Sequence, residues 1–209
     1  MFTKTLLPDT LRAIKLVSGF SEIKKAYLAG GTALALQLGH RISVDLDFFM
    51  QEEFDEAQIS SSLSSLPGFT HEGTIKGTVW GRIGQTKFSL FHYSYPLLDQ
   101  TIAFRGVSLA GLADIAAMKI HALEDGGTKR DFIDVYFLAQ KYTLEEMLDF
   151  YQRKYSVLEN HLYSILRALD YFEDAELETQ MPRMIVDVNW DDVKGYFRKE
   201  TLRLIEKKL

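Results

Sequence analysis

Two aspartates one residue apart, Asp45 and Asp47, lie inside the apolar run "SVDLDFFM". Strand side chains alternate with period two, so both carboxylates would leave one face while Val44, Leu46 and Phe48 leave the other. Their Cα atoms would be roughly 6.6 Å apart, which lets both side chains reach one ion. Without a cation the arrangement is unfavourable, because like charges repel and burial disfavours each of them. Hard oxygen ligands suit Mg²⁺ or Mn²⁺, and Mg²⁺ commonly takes one or two carboxylates together with phosphate oxygens and water. The pair therefore points to a nucleotide site rather than to a closed structural metal site.

Gly30-Gly31 precede the aspartates, ending the strand "KAYLAGG" and opening the short helix "TALALQLG". Without Cβ atoms their N–H groups can approach a ligand closely, and a helix N-terminus favours an anion. Thr32 adds a hydroxyl and is expected to help cap the helix, which Gly39 would end. A triphosphate held at this turn, with a metal on Asp45 and Asp47, would be open to in-line attack by a hydroxyl. Farther on, Lys119 lies opposite or at the edge of one helix's apolar stripe, and Asp131 and Asp134 sit three apart on the next helix. An ammonium can reach phosphate oxygens as a point charge, one carboxylate could serve as general base and the other could order a cation. The residues alone fit a plain helix start better, with Asp131 near the dipole's positive end and Asp134 solvated or ion-paired. His71, His92, His121 and His161 show no metal-ligand spacing and read as structural or surface residues.

These residues need elements to hold them. Helical spacing of Leu11, Ile14, Leu16 and Val17 predicts an N-terminal helix over 11–20, and a further helix is expected over 53–66, closed by Pro67-Gly68. Four β-rich pieces follow: "FTHEGTI", "GTVWGRI", "TKFSLFHYSYPLL" and "IAFRGVSL". After Ser108 the character changes. Ser108 reads as an N-cap for a helix with Leu109, Leu112, Ile115, Met118 and Leu123 on its apolar face. Helices then follow at "RDFIDVYFLAQKY", "TLEEMLDFYQRKY" and "LENHLYSILRALDYF", with a last one capped by Asn189. The expected class is α+β, with a mixed α and β part over 1–108 and a mainly helical part over 109–209. Composition sets bounds on partners. A net charge of −5 argues against coating nucleic acid over the whole surface, and zero cysteines exclude disulfides and thiolate metal sites. No signal-peptide pattern and no apolar run of spanning length occur, so the expectation is a cytoplasmic protein without a membrane partner.

The conjunction of strand, Gly-Gly-Thr, short helix and Asp-x-Asp resembles the DNA polymerase β-like nucleotidyltransferase signature. Within that superfamily, "GGTALALQLGHRISVDLDFF" is similar to the AbiEii-type toxin nucleotidyltransferases. The later block "DIAAMKIHALEDGGTKRDFIDVYFLAQ" resembles the family's second motif, a lysine followed on the next helix by basic-Asp-x-x-Asp. The resemblance implies a polymerase β-like core of mixed sheet and flanking helices, followed by a helical domain. It implies Mg²⁺ or Mn²⁺ on Asp45 and Asp47, and a nucleoside triphosphate held by Gly30, Gly31, Thr32, Arg41, Ser43, Lys119, Arg130 and Asp134. Asp131 would be the base. Transfer of a nucleoside monophosphate to RNA, including tRNA, as the toxin of a phage-defence pair with a cognate antitoxin, is the implied activity. Transfer to a small molecule or protein, and a non-catalytic nucleotide-binding module, stay open, as does an ordinary ion pair for Arg41. Two positions depart from the family pattern. The strand "TKFSLFHYS" offers Ser89 and His92 but no third carboxylate, as is frequent in AbiEii-type enzymes. The turn "EDGGTKRD" has Gly126 and Gly127 where an arginine is common, leaving Lys129 or Arg130 to substitute.

Overall fold

The computed structural model describes Met1–Lys208, with the side chain of Lys208 outside the description, and divides into two compact units, the second beginning at Leu112. In the first unit, α1 (Pro8–Val17) starts on a proline, whose fixed φ suits a first helical position. It begins and ends three residues before the range the apolar spacing predicts. Then come β1 (Tyr27–Leu28), α2 (Gly30–Leu38) and β2 (Leu46–Met50). Gly39 ends α2 as expected, with φ +76° and its N–H donated to Ala35. Asp45 lies just before β2 and not within it, so only Asp47 of the pair is a strand residue. Next is α3 (Glu56–Ser64), shorter than the predicted 53–66 because the Asp55 side chain caps it by accepting from Gln58 N–H.

The remaining strands are β3 (Phe69–Ile75), β4 (Thr78–Ile83), β5 (Thr86–His92), β6 (Ile102–Phe104) and β7 (Val107–Leu109). All seven form one mixed sheet in the order β3-β4-β5-β2-β1-β7-β6. The pairs β2–β5 and β1–β7 are parallel and the others antiparallel. Alternation decides what each face carries. Leu46, Phe48, Met50, Val79, Ile83, Phe88 and Leu90 are buried on one face, and α1, α2 and α3 contact β5, β2 and β3–β4. Asp47, Phe49, Trp80, Arg82, Ser89 and Phe91 leave the other face, which is half-buried. Ser108 corrects the predicted N-cap: it pairs with Tyr27 inside the sheet, and Leu109 pairs with Leu28. A serine beside an apolar run fits either role locally, and only strand pairing decides between them.

The second unit is helical: α4 (Leu112–Glu124), α5 (Lys129–Leu138), α6 (Leu144–Tyr155), α7 (Leu158–Ala168), the short α8 (Glu173–Leu177) and α9 (Trp190–Lys208). Asn189 caps α9 as expected, accepting from Asp191 N–H at 2.9 Å. Helix α4 packs against α5, α6 and α7, while α5 packs against α9. Phe132, Phe172, Trp190 and Phe197 form an aromatic cluster with ring centroids 5.0–6.5 Å apart. No helix among the described residues is long and apolar enough to cross a membrane.

Inside this unit Lys154 Nζ donates to Asp114 Oδ1 at 2.8 Å, and both side chains are fully buried. Two buried ions must be held together, because either one alone keeps its desolvation cost without compensation. Lys154→Met should therefore destabilise the second unit by about 3–5 kcal/mol. The double change Lys154→Met/Asp114→Leu should recover most of that in urea denaturation. Equal loss in the single and double variants would show that the pair is not what couples α4 to α6.

Candidate active site

Antiparallel pairing of β1 with β2 brings the glycine turn to the second aspartate. Ala29 N–H donates to the Asp47 carbonyl at 3.0 Å, which fastens the end of β1 to β2. Gly30 follows with φ +64°, and a Cβ there would lie 3.4 Å from Asp47 Oδ2. A side chain at Gly30 would thus be strained in its backbone and pressed on the carboxylate. Gly31 has a different reason to lack a side chain: its Cβ would meet Arg41 Nη2 at 2.3 Å.

Thr32 corrects the predicted cap. The N-cap position is Ala29 and no side chain among the described residues caps α2. The Thr32 hydroxyl donates instead to the Asp45 carbonyl at 2.5 Å and lies 3.0 Å from Ser43 Oγ. It ties α2 to the residue bearing the first carboxylate. Arg41 is only 4% exposed, and its Nη1 donates to the Ile42 carbonyl. Ser43 is buried beside it. The first turn of α2 keeps N–H groups that its own helix cannot satisfy, at the positive end of the dipole. Gly30, Gly31, Thr32, Arg41, Ser43, Asp45 and Asp47 are therefore brought together within the first unit.

Asp45 and Asp47 are half-buried. Ser89 is the register partner of Asp47 on β5, so the position beside Asp47 where a third acid would stand holds a hydroxyl. His92 is farther along, opposite Met50. Among the described residues no group of three or more His, Cys, Asp or Glu could hold a metal. Two half-buried hard carboxylates fit an ion such as Mg²⁺ that keeps waters and shares phosphate oxygens, and do not fit a closed all-protein cage.

The second unit holds its own cluster. Lys119 Nζ lies 2.7 Å from Asp131 Oδ1 and 2.7 Å from Asp134 Oδ2, with Asp134 fully buried. Lys119 is 8% exposed, so it sits deeper than the face or edge position its sequence context suggests. Asp131 also closes a capping box at the start of α5, where its Oδ2 accepts from Thr128 N–H and Oγ1. Burial pushes the Asp131 carboxyl up, but the Lys119 charge and the hydrogen bonds from Lys119 and Thr128 outweigh it and hold the group below its usual range. Such a carboxylate is a weak proton acceptor at neutral pH. Both acids order the lysine here.

The two glycines of the α4–α5 turn have a structural cause. Gly126 takes φ +94°, and a Cβ on Gly127 would lie 2.5 Å from a Leu123 methyl and 3.0 Å from its Cα. A larger residue would open the turn that lets α5 present Asp131 to Lys119. Lys129 is occupied structurally, donating to the Glu178 carbonyl and lying 5.4 Å from the Trp190 ring centre, while Arg130 is exposed.

Two features had no linear signal. Glu124 accepts from Tyr151 and Ser164 hydroxyls and pairs with His161 Nδ1 at 2.7 Å, with His121 3.9 Å away. Burial raises its carboxyl, and hydrogen bonds from Ser164, His161 and Tyr151 together bring it below the usual range. This network joins α4, α6 and α7 and accounts for His121 and His161 as structural residues. Trp80 is the other: it enters the catalytic face only through strand pairing, opposite Ser89.

Comparison with known proteins agrees with this geometry. Residues 17–96 and 92–202 match the family described as nucleotidyl transferase AbiEii toxin, type IV TA system. An uncharacterized protein of Aquifex aeolicus (strain VF5) is 32% identical, over 97% of this chain and 99% of its own. Among solved structures, JHP933 from Helicobacter pylori is similar with a TM-score of 0.55 and 21% identity, covering 96% of this chain and 90% of that one. MenT4, a nucleotidyltransferase toxin from Mycobacterium tuberculosis H37Rv, is similar with a TM-score of 0.59 and 15% identity, covering 96% and 83%. The fold is that of the polymerase β-like nucleotidyltransferases. With a family match across both units and a full-length relative above 30% identity, this chain belongs to the AbiEii nucleotidyltransferase toxin family and is a nucleotidyltransferase.

Proposed function

We propose that the protein transfers a nucleoside monophosphate from a nucleoside triphosphate to a hydroxyl of RNA, with tRNA as the foremost candidate. In this reading it is the toxin of an abortive-infection pair whose partner is a cognate antitoxin protein. One observation carries the proposal: the uncapped start of α2 lies against the Asp47 carboxylate, 3.4 Å from the position a Gly30 Cβ would take. An anion site and a hard-cation site then share one wall, as a metal-bound triphosphate requires. Gly30, Gly31 and Thr32 would bind the phosphates through their N–H groups, with the buried Arg41 and Ser43 supporting that turn from behind. Asp45 and Asp47 would hold Mg²⁺ or Mn²⁺, which supplies charge neutralisation and alignment at the α-phosphate. The acceptor oxygen bonds to the α-phosphorus, the bond to the β-phosphate bridging oxygen breaks, pyrophosphate leaves, and the hydroxyl proton passes to water. For Lys119, Arg130 and Asp134 the assignment to the nucleotide rests on the sequence motif. Asp131, occupied by Lys119 and Thr128, acts in this reading by ordering Lys119 rather than as the base.

Incubation with each labelled nucleoside triphosphate, Mg²⁺ and total RNA should label RNA, and Asp47→Asn should reduce labelling to background. Label on the protein or on a small acceptor would overturn the RNA reading, and no transfer at all with nucleotide bound would overturn the catalytic one. Because like charges repel, the metal-free Asp45→Asn/Asp47→Asn protein should melt above the wild type, whereas Mg²⁺ with nucleotide should raise the wild-type melting temperature. A metal-free double variant that melts lower would count against the carboxylates being a waiting cation site. Ser89→Asp adds a third carboxylate beside Asp47. It should lower the metal-free melting temperature and lower the metal concentration that half-saturates transfer; an unchanged metal dependence would show that Ser89 is remote from the ion.

A further inference from the structure

The geometry points to an acceptor track across β5 and β4, with Trp80 as a platform on which a base of single-stranded RNA stacks next to the reacting hydroxyl. This rests on the nucleotidyl-transfer reading above and extends it to how the acceptor is held. In-line displacement needs the acceptor on the side of the α-phosphate opposite the leaving pyrophosphate. The phosphate-binding turn lies on the β1 side of Asp47, since α2 leaves β1 directly. The sheet order then puts β5 and β4 on the other side.

Register assigns the side chains along that line. Asp47 pairs with Ser89, and Ser89 pairs with Trp80, so all three project from one face. Two strand spacings place the Trp80 Cα roughly 10 Å from that of Asp47, and the indole extends from there over β3, within reach of a base a nucleotide or two from the accepting ribose. The indole is seated on Gly73 of β3, where a Cβ would meet Trp80 Cζ2 at 2.0 Å. That seat fixes the ring against the edge strand. Trp80 is half-exposed and has no aromatic neighbour among the described residues, unlike Phe49 and Phe91, which stack on each other at 5.2 Å. Lys87 and Arg82 are register partners on the same face, one position along from Trp80 and Ser89. Lys87 is exposed, and Arg82 is bonded to Glu72 at 2.7 Å with both side chains open to solvent. An aromatic surface beside cations is the chemistry that binds a single strand without reading its sequence. A protein acceptor would need no such surface.

The chain has two tryptophans, so Trp190→Phe leaves Trp80 as the sole indole reporter. A short single-stranded oligoribonucleotide should quench its fluorescence, and an abasic strand of equal length should not. Trp80→Ala should weaken oligonucleotide binding roughly 5- to 150-fold. Trp80→Phe should restore most of it, and the thermal shift by Mg²⁺ and nucleotide should stay unchanged in both. Equal quenching by the abasic strand, or oligonucleotide affinity indifferent to Trp80→Ala, would overturn the platform. Failure of nucleotide and Mg²⁺ to shift the melting temperature of the wild type would instead overturn the underlying nucleotidyl-transfer reading.

Discussion

Holding the residues that bear two carboxylates, one residue apart, against the glycine turn is the constraint that ties β1, α2 and β2 together. Asp45 and Asp47 are half-buried, so neither is fully relieved by water, and the backbone must hold them without a side chain intruding. The hydrogen bond from Ala29 to Asp47 and that from Thr32 to the Asp45 carbonyl do this from opposite sides of one turn. Each ends on the backbone carbonyl of one of the aspartates. The positive end of α2, which no side chain among the described residues caps, begins at the same turn.

A similar logic runs through the second unit, with the charge balance reversed. Lys119 is a buried cation beside Asp131 and Asp134, and Lys154 is a buried cation beside Asp114. Burial is tolerated because each ammonium has a well-placed partner. The Gly126-Gly127 turn serves the first of these pairings by bringing Asp131 close, and the capping box at Thr128 fixes the angle at which α5 starts. A departure from the family's sequence pattern thus has a packing cause, and Arg130 next to it is exposed.

The parallel β2–β5 pairing decides what stands beside Asp47. It sets Ser89 beside Asp47 and, through β4, sets Trp80 in line with both. In the proposed reading, a two-carboxylate site faces an incoming polyanion with less negative charge than a three-carboxylate one would, which lowers the electrostatic cost of bringing a strand across β5.

Local patterns were legible in the sequence. Asp-x-Asp, Gly-Gly-Thr, the lysine and the basic-Asp-x-x-Asp block are short-range patterns that point to the family, and the helical second half, the Gly39 terminator and the Asn189 cap were equally readable, because each depends on neighbours within a few residues. What tertiary structure alone decided involves partners far along the chain. Ser108 became a strand residue through pairing with Tyr27, Thr32 turned from its own helix to the Asp45 carbonyl, and Lys119 was drawn into the interior by Asp134. Trp80, fifty residues from the glycine turn, reached the catalytic face only by sheet order. A sequence carries period and propensity along the chain. Register between strands is set by which faces can be buried together, and that is known only when all the strands are in place.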